Sequence, residues 1–133
     1  MSEPVVGWTD MVGKCEGLGL LAKKNLYDVF TTPTNGIGPV MKNLEDHLEF
    51  QRELQDNGIM FGAGPFSDDD ESNWNGEGMV IIRAASLGEA KKIAEGDPMH
   101  TSGARSFRVR PWLLNEGKVT IELTYSDKGM SVV

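Results

Sequence analysis

The sequence predicts an α+β fold with the core order strand, helix, strand, strand, helix, strand. Two segments, about 41–57 and the run opening at Ser86, place apolar residues at the 3.6-residue spacing of one helical face. Short apolar and β-branched runs lie before, between and after them: Leu26–Thr32, Ile59–Ala63, Gly78–Ala84 and Arg105–Trp112. Glycine and proline punctuate the joints, most clearly at Asn57-Gly58, Gly64-Pro65 and Gly96-Asp97-Pro98.

Residues 1–24 read as an N-terminal extension to a domain covering 25–133. Trp8, Met11, Val12 and Cys15 have helical spacing there, weakened by Gly13, Gly17 and Gly19. The run Gly17-Leu18-Gly19-Leu20-Leu21-Ala22 looks superficially like a dinucleotide fingerprint, but no strand precedes it and no helix follows it. Leu26–Thr32 is the first strand, and Pro33 to Pro39, with Asn35, Gly36 and Gly38, is a loop. In the first helix, Met41–Asn57, one face holds Leu44, His47, Leu48, Gln51 and Leu54, with Phe50 on its margin; Gly58 is the stop. Ile59–Ala63 is a strand ended by Gly64-Pro65. A polar loop, Ser67–Gly76, carries Asp68-Asp69-Asp70-Glu71 and Trp74 before the apolar strand Gly78–Ala84. Ser86-Leu87-Gly88-Glu89 is a capping box; the helix behind it has the stripe Leu87, Ala90, Ile93 and Ala94, and Gly96 closes it. After Arg105–Trp112, Val119, Ile121, Leu123 and Tyr125 alternate with polar residues, which predicts an extra, half-buried C-terminal strand followed by a frayed tail.

This order is the split βαβ pattern of ferredoxin-like domains, with an antiparallel sheet. Right-handed crossovers make the first and second strands parallel, and likewise the third and fourth; the third runs against the first. The start of the first helix, the end of the second helix and the end of the second strand then share one end of the sheet. His47, Gly62–Pro65, the acidic loop, Asp97 and His100 converge there. Two helices cover one sheet face, with Val80 and Ile82 turned toward them; Met79 and Ile81 face the other side, which dimerisation would cover. The C-terminal strand would complete the edge or reach the partner.

Composition narrows the partners. A chain of 133 residues suits one domain, and its formal net charge of -7 argues against nucleic acid and anionic membrane surfaces. Cys15 is the single cysteine, so no disulfide framework exists and a reducing cytoplasm fits. No run has the length of a membrane span, and no basic segment opens the chain, which reads as cytoplasmic and unprocessed.

Taken together, His47-Leu48-Glu49-Phe50, the Leu54-to-Gly58 helix end, Ala63-Gly64-Pro65, Ser86-Leu87-Gly88-Glu89-Ala90, Asp97-Pro98, Gly103 and Val109-Arg110-Pro111-Trp112 make a series. In order and spacing it resembles the YciI-like (YCII-related) family of small dimeric α/β-barrel proteins, similar in fold to muconolactone isomerases. The likeness runs from about Leu26 to Trp112. It implies a ferredoxin-like fold, a homodimer, and an active site of one histidine and one aspartate, which carry over to His47 and Asp97. It also implies lyase or isomerase chemistry on products of aromatic-ring degradation. The first 24 residues, the loop at 33–41 and the strand after Trp112 depart from short family members, so the substrate does not carry over.

Histidine titrates near neutrality, at about 6.5, and a carboxylate on one ring nitrogen frees the other for a substrate proton. His47 with Asp97 as its orienter suits proton abstraction beside a carbonyl, leading to isomerisation or elimination. Spacing alone reads His47 as a core histidine; topology and the resemblance favour the functional role. Asp97, between Gly96 and Pro98, equally suits turn chemistry, and both roles can coexist. His100 is either a second acid/base group or substrate contact, or a surface loop histidine. Arg108 and Arg110 point away from the helices, where they would hold a substrate carboxylate in the dimer cleft or form an inter-subunit salt bridge; Arg83 invites the same two readings. Trp74 is a loop lid or, more simply, a packing residue.

The acidic run lacks the glycine and distal glutamate of a calcium loop, and no zinc-ligand spacing links His47, Asp97 and His100. No metal or cofactor is expected, and Cys15 has no adjacent histidine to make it a nucleophile. The leading expectation is a lyase or isomerase acting on a small cyclic or enolisable carbonyl compound. The alternatives are a non-catalytic homodimeric module that binds a small metabolite, and a cofactor-free oxygenase on the same fold.

Overall fold

The computed structural model describes residues 4–126 and 129–133. In chain order its elements are α1 (Trp8–Gly17), β1 (Lys23–Pro33), α2 (Ile37–Lys42), α3 (Leu44–Asp56), β2 (Met60–Pro65), β3 (Gly78–Arg83), α4 (Leu87–Glu95), α5 (Pro98–Thr101), β4 (Arg105–Leu114), β5 (Ile121–Leu123) and β6 (Met130–Val132). They fall into two units, Lys23–Leu113 and the pair Met1–Ala22 with Leu114–Val133. Among the described residues no helix is long and apolar enough to cross a membrane.

The larger unit has the expected α+β, ferredoxin-like order. Its four-stranded sheet runs β2-β3-β1-β4, with β3 antiparallel to both β1 and β2. Alternation along the strands sends Tyr27, Val29, Val80, Ile82 and Val109 to the side covered by α3 and α4, where they bury Leu54, Ala90 and Ala94. Burial of such side chains stabilises by roughly 1.5–3 kcal/mol each for Val, Leu or Ile. Met79, Ile81, Arg108 and Arg110 take the opposite parity. The cap half of the expected box forms, Ser86 Oγ accepting from the Glu89 N–H at 3.1 Å, while Glu89 Oε2 reaches one residue beyond the N-cap to accept from the Ala85 N–H at 3.1 Å.

Three boundaries differ from the sequence reading. The loop after β1 contains α2, because Pro39 sits in its first turn, where a missing N–H costs nothing, and Val40 is fully buried with Met99 and Ala104. Asn43 then separates α2 from α3: its Nδ2 donates to the Pro39 carbonyl at 2.8 Å, while its own carbonyl accepts from His47 N–H at 3.0 Å. Finally, β2 continues through Gly64-Pro65, which pair with Met79 and Gly78. It is an edge strand, so the absent proline donor is harmless.

In the smaller unit, Cys15 is buried on α1 and Asn115 Nδ2 lies 3.3 Å from its Sγ. The C-terminal alternation gives a strand of only three residues, β5. Its partner is β6, formed by the tail that was expected to fray, with Ile121 opposite Val132 and Leu123 opposite Met130. Its apolar side chains are exposed rather than half-buried, so this strand does not complete the main sheet.

Candidate active site

His47 lies in the first turn of α3, on the stripe that faces the sheet, and is 6% exposed. Asp97 follows Gly96, the residue that ends α4. A Cβ added at Gly96 would meet the Phe50 ring at 3.4 Å, ordinary contact distance, so α3 packs directly against this turn. That approach brings the two groups together across 50 residues of sequence. His47 Nδ1 donates to both oxygens of Asp97, at 2.9 and 2.8 Å. Asp97 is also the N-cap of α5, and its Oδ1 accepts the Met99 N–H at 2.9 Å. The carboxylate is thus fixed by backbone before it fixes the imidazole.

With Nδ1 protonated toward Asp97, Nε2 keeps its lone pair, and it has no hydrogen-bond partner among the described residues. His47 lines a cavity of about 300 Å³. Leu44, Leu48 and Gln51 on α3 form one wall; Ala63, Gly64 and Pro65 on β2 and Met79 and Val80 on β3 form another. Thr31, Trp74 and Arg105 close the remaining side. The space is mostly apolar with a few convergent polar groups, the usual character of a small-molecule site.

Of the other candidate residues singled out in the sequence, Trp74 lines this cavity, whereas His100, Arg83, Arg108 and Arg110 do not. His100 is on α5, not on a surface loop, and its ring is tilted over Phe107 at 4.3 Å. Its Nδ1 donates to the Ala94 carbonyl at 2.6 Å and its Nε2 accepts from Thr31 Oγ1 at 2.9 Å. Burial pushes its pKa down, and both ring nitrogens are already engaged. Arg108 and Arg110 border an open hollow with Phe30 and Thr32 and do not line the His47 cavity. Arg83 donates to the Gly58 and Met60 carbonyls at 3.1 and 3.0 Å and stacks on Phe61. Trp74 packs on the Val40–Met99–Ala104 cluster, and its Nε1 donates to the Glu77 carbonyl at 2.8 Å. In the acidic run, Asp68 and Asp70 accept from the Ser72 N–H. Among the described residues no cluster of three or more His, Cys, Asp or Glu side chains is placed to hold a metal.

Arg105 is the residue that sequence reasoning passed over. It shares the parity of Phe107 and Val109, so a charged side chain faces the helices; that is the signal that could have found it. It is 5% exposed, and its Nε donates to the Gly76 carbonyl at 2.9 Å.

The model of the YCII-related domain matches residues 29–113. The chain belongs to the YCII-related domain family. All of the His47 cavity's lining residues fall within the YCII-related match. No curated protein matches the chain. Among solved structures, it is similar to 5-chloro-2-hydroxyhydroquinone dehydrochlorinase (TftG) from Burkholderia phenoliruptrix AC1100, a complex with 2,5-dihydroxybenzoquinone. The TM-score is 0.52 at 20% identity, over 65% of this chain and 92% of that one. At that identity the likeness establishes a shared fold for this YCII-related domain.

Proposed function

We propose that this protein is a lyase or isomerase in which His47 acts as general base on a small cyclic or enolisable carbonyl compound. The observation that carries the reading is the His47–Asp97 pair: Nδ1 is held by a backbone-fixed carboxylate, and Nε2 is left beside an apolar cavity. Nε2 takes the proton, the released electron pair forms a new double bond, and a leaving group such as chloride departs with its own pair. Return of the proton to a different atom gives isomerisation instead. Neither route needs an oxidant.

The cavity's size fits this substrate class. A dry cavity of roughly 150 Å³ already admits benzene, so about 300 Å³ accommodates one substituted ring. The dehydrochlorinase with the shared fold acts on such a ring, which makes its substrate a sensible first test.

A homodimer, in a reducing cytoplasm, completes the proposal. On the sheet side away from the helices, Phe61 and Trp112 meet edge-on at 6.5 Å and remain 43% and 36% exposed. Covering them with a second copy removes an apolar patch from water. Sedimentation should give twice the monomer mass, and Trp112→Asp should halve it.

The test of function is an assay of the purified protein against chlorinated hydroxyhydroquinones and unsaturated lactones, following halide release, ultraviolet change and oxygen uptake together. Halide release or isomerisation without oxygen uptake is expected. Saturable binding without turnover would instead make the protein a binding module, and stoichiometric oxygen uptake would make it an oxygenase.

A further inference from the structure

Arg105 is a buried cation with unused hydrogen-bonding capacity in the wall of a cavity. Its Nε is spent on the Gly76 carbonyl, which fixes the plane of the guanidinium. Among the described residues its two terminal amino groups have no hydrogen-bond acceptor and no ion-pair partner. The Asp97 carboxylate acts on it through space, but Asp97 is already committed to His47 and to the Met99 N–H. The Trp74 ring centroid lies 6.0 Å from the Arg105 guanidinium carbon, so an apolar surface flanks the charge. Burial of a charge this incompletely paired is unfavourable, and it pushes the Arg105 pKa down. An anion entering the cavity would relieve that cost.

We infer that Arg105 is the anion-recognition residue of this cavity, and that the ligand is a planar, single-ring compound carrying a negatively charged oxygen. The two free amino groups form a planar fork suited to an oxyanion. Ala63, Gly64, Pro65 and Val80 offer flat apolar walls to the ring, and the Gln51 amide, one turn after His47, adds a neutral polar contact. The inference rests on the proposed use of the cavity and adds the charge of what occupies it. The same fork serves a carboxylate or a ring oxygen that is ionised or becomes so on loss of a proton to His47.

The test is a binding measurement that needs no turnover. Calorimetric titration of the full chain with benzoate, 2,4-dinitrophenolate and neutral benzamide separates carboxylate, ring oxygen and bare ring. At least one anion should bind about tenfold or more tightly than benzamide, as charge-assisted hydrogen bonds require. Arg105→Met should abolish that preference while leaving benzamide affinity unchanged, and Arg105→Lys should restore part of it. If Arg105→Met does not fold, nitrogen resonances of the Arg105 guanidinium in the wild-type protein should shift with the anions and not with benzamide. Equal binding of all three probes, binding of none, or an anion preference retained in Arg105→Met would overturn the inference. A loss of turnover in His47 variants bears on the general base alone and leaves these titrations unaffected.

Discussion

Asp97 caps the turn that carries it and, with the same carboxylate, holds Nδ1 of His47 at 2.8 Å. The two readings that the sequence left open for Asp97 are therefore one arrangement. Asparagine at this position keeps an oxygen for the Met99 N–H but loses the negative charge beside the imidazole. Asp97→Asn should fold, turn over more slowly than wild type, and lose less activity than removal of His47. The pH–rate profile of Asp97→Asn should differ from that of wild type, and an unmoved profile would leave Asp97 a structural cap only.

Asp28 is buried on the central strand β1, and its Oδ1 has no hydrogen-bond partner among the described residues. Burial raises its pKa above the usual 3.8, opposed in part by Arg110. The folded state thus holds this proton more tightly than the unfolded chain does. Its stabilising contribution is complete below pH 3.8 and is lost as pH rises through the folded value. Asp28→Asn should consequently melt higher than wild type at neutral pH, with no advantage in strong acid. Thermal melts at both extremes decide this.

His100 behaves in the opposite sense. Burial lowers its pKa below 6.5, with the hydrogen bond to the Ala94 carbonyl working against that shift. The unfolded chain takes up the proton first, so stability present above pH 6.5 falls as pH drops toward the folded value. Urea unfolding across this window should show that slope in the wild type and a flatter one in His100→Gln. Equal slopes would contradict the buried, neutral histidine.

Ser86 tests the scaffold apart from the chemistry. Its Oγ caps α4, whose far end sets Asp97. Ser86→Ala should cost about 0.5–2 kcal/mol in unfolding free energy, with binding to the cavity unchanged. A larger loss of binding than of stability would mean that the α4 cap tunes the site.

The sequence was most informative where the physics is local. Ser86 caps α4 as read, with Glu89 bonding back to Ala85 instead of Ser86, and the parity of Val80 and Ile82 against Met79 and Ile81 separates the sheet faces correctly. Topology alone brought His47 and Asp97 to one end, where they meet. Legibility failed where one signal has two meanings. Pro39 suggests a loop but also suits the first turn of α2, and Gly64-Pro65 suggests a stop but is tolerated at the edge of β2. Alternation in 119–125 reports a period of two, not burial, and this strand is paired yet exposed. Arg105 was hidden because its positive charge argued for the surface, while only its parity argued for the cavity.

Removal of a proton from the bound ring by His47 is tested by the kcat/KM of His47→Gln against wild type on the same turned-over substrate. Glutamine keeps a polar side chain at this position but supplies no base. With circular dichroism and oligomeric state unchanged, kcat/KM should fall by about 10²–10⁴-fold. Retention of wild-type kcat/KM in a folded His47→Gln protein would rule out His47 as the general base.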